Sequence, residues 1–265
     1  MTRPQRWLVA VKHGIDVNLT RADPGSGHID LAHAPRKTSD FDRNGVEEAV
    51  RLREKFGGTV TAVTVGPPPS REAIRDALSL GADEGILLSV PEGIVLDSSA
   101  VAAALAAFFR TPAGSFDVAF FGEGSTDHFS GTVGARVAAE LRLPSLSHVR
   151  RVTVENELLQ VERDVEAGIE TLESSFPAVV TVGQEINTPR LPTFMSTLKA
   201  SKKQIREITV ESLGISPASW GRSVTILDAS LPSMPRKRIR VSGGDPGAVS
   251  QELVRILQQE GFGRR

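Results

Sequence analysis

TVTAVTVGPPPSREAIRDALSLGADEGILLSV, residues 59–90, sets the architecture of this chain. Residues 59–65 are dominated by valine and threonine, whose branched side chains favour an extended strand. Prolines at 67–69 break that strand. Over 70–80 the apolar residues Ala73, Ile74, Ala77 and Leu78 recur at the spacing of one helix face, and Gly81 stops the helix. A second apolar run follows at 84–90. Strand, helix and strand in this order form a βαβ unit, which places its two strands parallel in one sheet.

The same alternation extends in both directions. Residues 7–12 (WLVAVK) read as a buried strand, followed by a Gly/Pro/His-rich loop to about Ser39. A helix runs through GVEEAVRLREKF, with Asp40 or Asp42 available as its cap and Gly57-Gly58 at its end. Downstream lie an alanine-rich helix over 97–110, a strand over 116–121, and a helix through ARVAAEL that ends before Pro144. The texture then changes. Residues 149–154 and 158–165 read as a hairpin around Glu155-Asn156, and 178–182 as another strand. From about Ile205 come a Pro/Ser-rich stretch, a basic PRKRIR segment and a last helix over 246–260. The predicted fold is α/β: an open, mostly parallel twisted sheet with helices on both faces, a β-hairpin region and an extended C-terminal arm. The predicted division is 1–204 for the α/β domain and 205–265 for the arm.

Composition narrows the function. A net charge of -1 argues against a general nucleic-acid binder. No apolar stretch reaches the ~18 residues of a membrane span, and the start carries no secretory h-region, so a cytoplasmic protein is expected. The chain has no cysteine and no tyrosine, so thiol and tyrosyl redox chemistry are closed to it, and any electron chemistry needs a bound cofactor. The five histidines are scattered without a metal-site spacing. There is no GxSxG elbow. Glu162, Asp164 and Glu166 alternate along a strand and share one solvated face, a plainer reading than paired-carboxylate catalysis.

Two candidate sites remain. In an open α/β sheet, ligands sit beyond the carboxyl ends of the strands. The loop GEGSTDHFSGTVG puts Ser130, Gly131, Thr132 and Gly134 at a helix start, where free N–H groups and the helix dipole favour a phosphate. Asp127 can accept from a ribose hydroxyl or cap the helix, and helix capping alone also accounts for the loop. Lys12 and His13 end the first strand. It is neither a Walker A loop nor a GxGxxG fingerprint. The second site is NTPRLPTFMSTLKASKK, a proline-punctuated loop presenting Leu191, Phe194, Met195 and Leu198; loops normally carry polar residues, so these suggest a contact surface. Glu166 and Glu170 flank Gly168, where a bend can present a carboxylate to a partner.

With these residues in view, the chain resembles the beta subunit of electron transfer flavoprotein nearly end to end. VAVKHGID is similar to that family's opening VxVKxxxD, and SDFDRNGVEEAVRLRE to NPxDxxAVEEALRLKE. The VGP and ALSLGAD segments match in place. VERDVEAGIETLESSFPAVVTV resembles VEREIDGGxExLxxxLPAVVTV, and NTPRLPTFMSTLKASKK falls on NxPRYPSLxxIMKAKKK without a gap.

The resemblance implies an electron carrier that works as a heterodimer with an alpha subunit. FAD would be shared with that subunit, and AMP or a second FAD held in this chain's own domain, of adenine-nucleotide-binding type. It implies a nucleotide site at Ala10, Lys12, Ser39, Val65, Gly122, Asp127, Ser130, Gly131, Thr132, Val133 and Gly134. It implies a surface facing the flavin and the alpha subunit at Arg163, Glu166, Gly168 and Glu170, and a C-terminal arm packing on that subunit. The segment at about 187–200 would be a recognition loop for an acyl-CoA dehydrogenase or other flavin dehydrogenase, with Phe194 where the family has a leucine anchor. Electrons would pass on toward a quinone reductase. Two alternatives stay open: an NADH-oxidising, electron-bifurcating complex with a second FAD here, and a stand-alone adenine-nucleotide-binding regulatory domain. This chain departs from the family pattern GxQAIDGDTxQVGP, having Thr132 for the glutamine, and has Ser39 for the usual asparagine.

Overall fold

The computed structural model describes residues 6–94, 96–216, 226–230 and 236–262. Most of the expected Pro/Ser-rich stretch lies outside them. The strands and helices follow in chain order: β1 (Arg6–Ala10), β2 (His13–Ile15), β3 (Arg36–Thr38), α1 (Asp40–Phe56), β4 (Thr59–Gly66), α2 (Arg71–Leu80), β5 (Glu84–Ser89), α3 (Ser98–Phe109), β6 (Val118–Gly122) and α4 (Val133–Leu141). Then come β7 (Ser145–Glu155), β8 (Leu158–Val165), β9 (Gly168–Ser174), β10 (Ala178–Val182), α5 (Phe194–Lys202), β11 (Ile205–Thr209) and α6 (Pro246–Gln259).

Nine strands form one sheet in the order β11-β5-β4-β1-β6-β10-β7-β8-β9. Pairing is parallel from β11 to β7 and antiparallel across β7-β8-β9. The predicted α/β class holds. The pleat sends alternate residues to opposite faces, and both faces are apolar in the central strands. Val9, Val60, Phe120 and Val180 join Val46 and Val50 of α1 and Ile74 of α2 in one core cluster. Leu8, Val63, Ala119 and Val179 join Leu105 and Phe108 of α3 and Val137 of α4 in the other. Helices therefore cover both faces, as a buried parallel sheet requires. Each fully buried Val, Leu or Phe stabilises by ~1.5–3 kcal/mol.

Several local expectations need correction. Ser39, not Asp40 or Asp42, stands at the α1 N-cap, and its side chain makes no cap bond. The hairpin turn falls at Asn156 and Glu157, both at positive φ. Glu166 lies in the turn between β8 and β9, so it does not continue the face of Glu162 and Asp164. The segment read as a loop through Leu198 becomes helix from Phe194 onward. Residues 205–209, read as the head of the arm, form the edge strand β11, paired in register with β5. The hairpin of β2 and β3 interrupts the long first loop. Two compact units divide at Ala229 and Ser230; in the second, α6 is capped by Asp245, whose carboxylate accepts from the N–H groups of Gly247 and Ala248.

Candidate functional site

The chain leaves β1 for β4 and β5 on one side of it, then returns to add β6 on the other. A reversal of this kind makes the carboxyl ends of β1 and β6 the place where such sheets form a ligand crevice. Ala10 and Gly122 end these two strands, and Val65 lies one residue before the end of the neighbouring β4. Ser39 stands at the start of α1, and Ser130 to Gly134 lead into α4. The sequence-predicted nucleotide residues thus gather at one end of the sheet.

Two carboxylates hold the crevice together. Asp42, in the first turn of α1, is buried and accepts from the Lys12 N–H at 2.7 Å and the Gly122 N–H at 3.2 Å. It bridges the diverging ends of β1 and β6. Burial pushes its pKa up to about 7 against the pull of those two donors. Asp127 accepts from the Lys12 ammonium at 2.6 Å, the Ser125 hydroxyl at 2.6 Å and the backbone N–H of Ile15 at 3.1 Å and His128 at 2.8 Å. Burial would raise its pKa, but the Lys12 and Ser125 hydrogen bonds and the Lys12 charge hold it well below the usual carboxylate range. Lys12 also reaches Ser125 at 3.1 Å and His128 Nδ1 at 3.0 Å. These two residues therefore tie the β1 loop to the β6 loop, and Asp127 caps no helix.

What the crevice leaves unused is hydroxyl. Among the described residues, Ser39 Oγ, Thr126 Oγ1 and Thr132 Oγ1 are buried without a hydrogen-bond partner. A buried hydroxyl left unpaired costs ~1–3 kcal/mol, so three in this region mark a place built for polar contacts. Thr132 stands at the α4 N-cap without capping it. Gly134 lets that helix start close to the sheet, since a Cβ there would sit 2.7 Å from Thr181 Cγ2. Sequence reasoning missed Asp42 as a bridge, along with Ser125 and His128; no local pattern marks that role, because it depends on where β1 and β6 end.

A charged cavity of about 310 Å³ lies beside the β2–β3 hairpin, lined by His13, Arg36, Lys37, Asp40, Arg43 and Glu72 among others. Lys37 pairs with Asp40 at 2.8 Å and Arg43 with Asp76 at 3.3 Å, so much of its charge is spent internally.

The second candidate surface is an apolar stripe on a bolted base. Leu191 and Phe194 are 85% and 82% exposed, and Met195 and Leu198 are also exposed. Beneath them Arg190 donates to Glu47 at 2.8 Å and Glu54 at 2.7 Å, and Asn187 exchanges hydrogen bonds with Asn44 on α1. Thr193 caps α5 by accepting from the Ser196 N–H at 3.1 Å. Ala200 is buried in the core, and Arg75 donates to the Ala200 and Lys203 carbonyls, both at 2.6 Å. The apolar side chains are exposed because the backbone below them is held in place, not because the segment is loose.

The β8–β9 hairpin places Arg163 opposite Glu170, ion-paired at 2.8 Å. Gly168 takes φ 139 just after the turn, and Glu166 is exposed at it.

Comparison with known proteins identifies the family. The family model described as "Electron transfer flavoprotein domain" matches residues 28–213. The chain is 33% identical over 254 residues to the electron transfer flavoprotein subunit beta of Thermoanaerobacterium thermosaccharolyticum, covering 94% of this chain and 96% of that one. It is 34% identical to the subunit of that name from Mycobacterium bovis over 88% of this chain and 90% of that one. The mouse subunit is 32% identical over 97% of this chain and 98% of its own length. The chain belongs to the electron transfer flavoprotein family, among its beta subunits.

Proposed function

We propose that this chain is the beta half of a heterodimeric electron carrier. It pairs with an alpha subunit around a shared FAD, accepts electrons from an acyl-CoA dehydrogenase or other flavin dehydrogenase, and delivers them toward a quinone reductase. The crevice at the ends of β1 and β6 holds a nucleotide, AMP or a second FAD. The observation that carries this reading is the set of unpaired buried hydroxyls of Ser39, Thr126 and Thr132 in the elements bounding a switch-point crevice. These groups, with the free N–H groups at the start of α4, suit a phosphate and a sugar. Lys12, Ser125 and Asp127 already satisfy one another, so their task is to fix the two loops rather than to grip the ligand.

FAD, when bound, supplies the electron-accepting ring that this chain lacks. The chain's own residues position and dock. Phe194 and its neighbours form the apolar contact for the dehydrogenase, with Arg190 setting their attitude. Arg163, Glu166, Gly168 and Glu170 form the hairpin turned toward the flavin and the alpha subunit.

Co-production with the alpha subunit, followed by extraction and chromatography of bound nucleotides, tests the reading. One FAD and one AMP per heterodimer is the expected result. Two FAD would move the assignment to the bifurcating, NADH-oxidising alternative. A colourless preparation with no complex formed would sink the carrier reading. Phe194→Ala should leave flavin content unchanged and slow reduction by the dehydrogenase; loss of flavin would make the segment structural instead.

A further inference from the structure

We propose that Phe129, braced by Phe41, is the stacking platform for the flat heteroaromatic ring of the bound nucleotide. This rests on the nucleotide reading above and deepens it.

Phe129 lies in the loop between β6 and α4 with 62% of its surface exposed. An exposed aromatic ring on a polar loop gains nothing from solvent, so it is a candidate for contact. Its backbone is at φ 46, a left-handed conformation that costs a bulky residue free energy. Such conformations persist where surrounding groups impose them, and they concentrate at ligand clamps. Here the Phe129 N–H donates to the Ser125 carbonyl at 3.0 Å, and Ser125 is itself bonded to Lys12 and Asp127.

The ring has a prepared seat. It lies 5.5 Å from Phe41, tilted by 58°. Gly124 passes directly beneath, where a Cβ would come within 2.8 Å of Phe129 Cδ2, so any side chain at 124 would lift the ring. Phe41 stands on α1 between Ser39, with its unpaired hydroxyl, and Asp42, which bridges the two strands. Phe129 stands two residues after Asp127 and three before Thr132, whose hydroxyl is also unpaired. The two rings are thus carried by the same two segments, the start of α1 and the β6–α4 loop, that carry the unpaired hydroxyls of Ser39, Thr126 and Thr132. That arrangement matches a nucleotide lying with its ring on the aromatic and its polar half on the hydroxyls and the start of α4.

The test uses the full-length chain co-produced with its alpha subunit and titrated calorimetrically with AMP and, separately, with FAD after nucleotide extraction. Phe129→Ala should weaken binding of whichever nucleotide the wild type takes by about tenfold. Phe129→Leu, apolar but without a π face, should weaken it too. Phe129→Trp should keep the affinity and show indole fluorescence quenched on addition. Melting temperatures should stay near wild type, since the position is exposed. Wild-type-like affinity in Phe129→Ala would overturn the proposal. So would unchanged affinity with a poorer yield of heterodimer, which would make the ring a subunit contact. A wild-type complex that takes neither AMP nor FAD would remove the nucleotide reading itself, a result separable from failure of the stacking.

Discussion

Asp42 is a buried carboxylate with two backbone donors aimed at it, so opposing forces set its ionisation. Burial wins and its pKa rises to about 7. Because the folded state then holds a proton that the unfolded chain releases near pH 4, this group's contribution to stability is present at low pH and is lost as pH rises through about 7. Asp42→Asn removes the titration and leaves one of the two N–H donors unmatched, at a cost of ~1–3 kcal/mol. The stability advantage of wild type over this variant should therefore shrink between pH 5 and pH 8, as followed by denaturant unfolding. A constant difference would show that Asp42 does not titrate there. Asp127 behaves oppositely: its depressed pKa makes its contribution present above the ordinary carboxylate range and lost in acid. Sequence placed Asp42 correctly at the start of α1 but read it as a cap. Which way a carboxylate turns in the first turn depends on β1 and β6, and no local pattern encodes those.

Secondary elements differ in how much of their stability is local, and α5 has little. It spans nine residues behind two prolines, too short to be stable alone, which is why the segment read as loop. Its helical state comes from the Thr193 cap, the buried Ala200 and the Arg75 contacts to its last carbonyls. Thr193→Ala should cost ~1 kcal/mol and raise amide exchange over 194–198 while the rest of the chain stays protected. Arg190→Ala should cost more, ~2 kcal/mol, because it strips a partner from the nearly buried Glu47 as well as from Glu54. Burial alone would raise the Glu47 pKa; Arg190 and Arg51 hold it low, so this loss should be largest near neutral pH and shrink in acid. Unfolding curves at pH 7 and pH 4 separate the two regimes. Strand β9 was missed for a related reason: its charged sequence carries no apolar alternation, and only pairing with β8 makes it a strand.

At the scale of the whole molecule, the parallel half was legible because each βαβ unit repeats a strong apolar period, and both faces of its sheet are buried. Of the antiparallel extension, the β7–β8 hairpin was legible from its alternation, whereas β9 and the edge strand β11 were not: β9 lacks an apolar alternation, and the partner of β11 lies far away in sequence. The order of strands predicts a gradient of stability. Amides of β1, β4, β6 and β10, flanked by strands and covered by helices, should exchange slowest, and those of β9 and β11 fastest, in hydrogen–deuterium exchange read by mass spectrometry. Uniform protection across the sheet would contradict this.

Helix α1 serves both surfaces: Asp42 near its start touches the strand ends of the crevice, and Asn44, Glu47 and Glu54 hold the segment that carries Phe194. Asp42 and Glu47 are separated by only ~7–8 Å of helix rise. One inserted residue between them would swing the second set by about 100° relative to the first. The loops that carry Phe129 and Phe194 are free of this constraint, but the spacing along this one rod behaves as a fixed gauge. Lineages of such chains should accumulate their insertions everywhere except inside it.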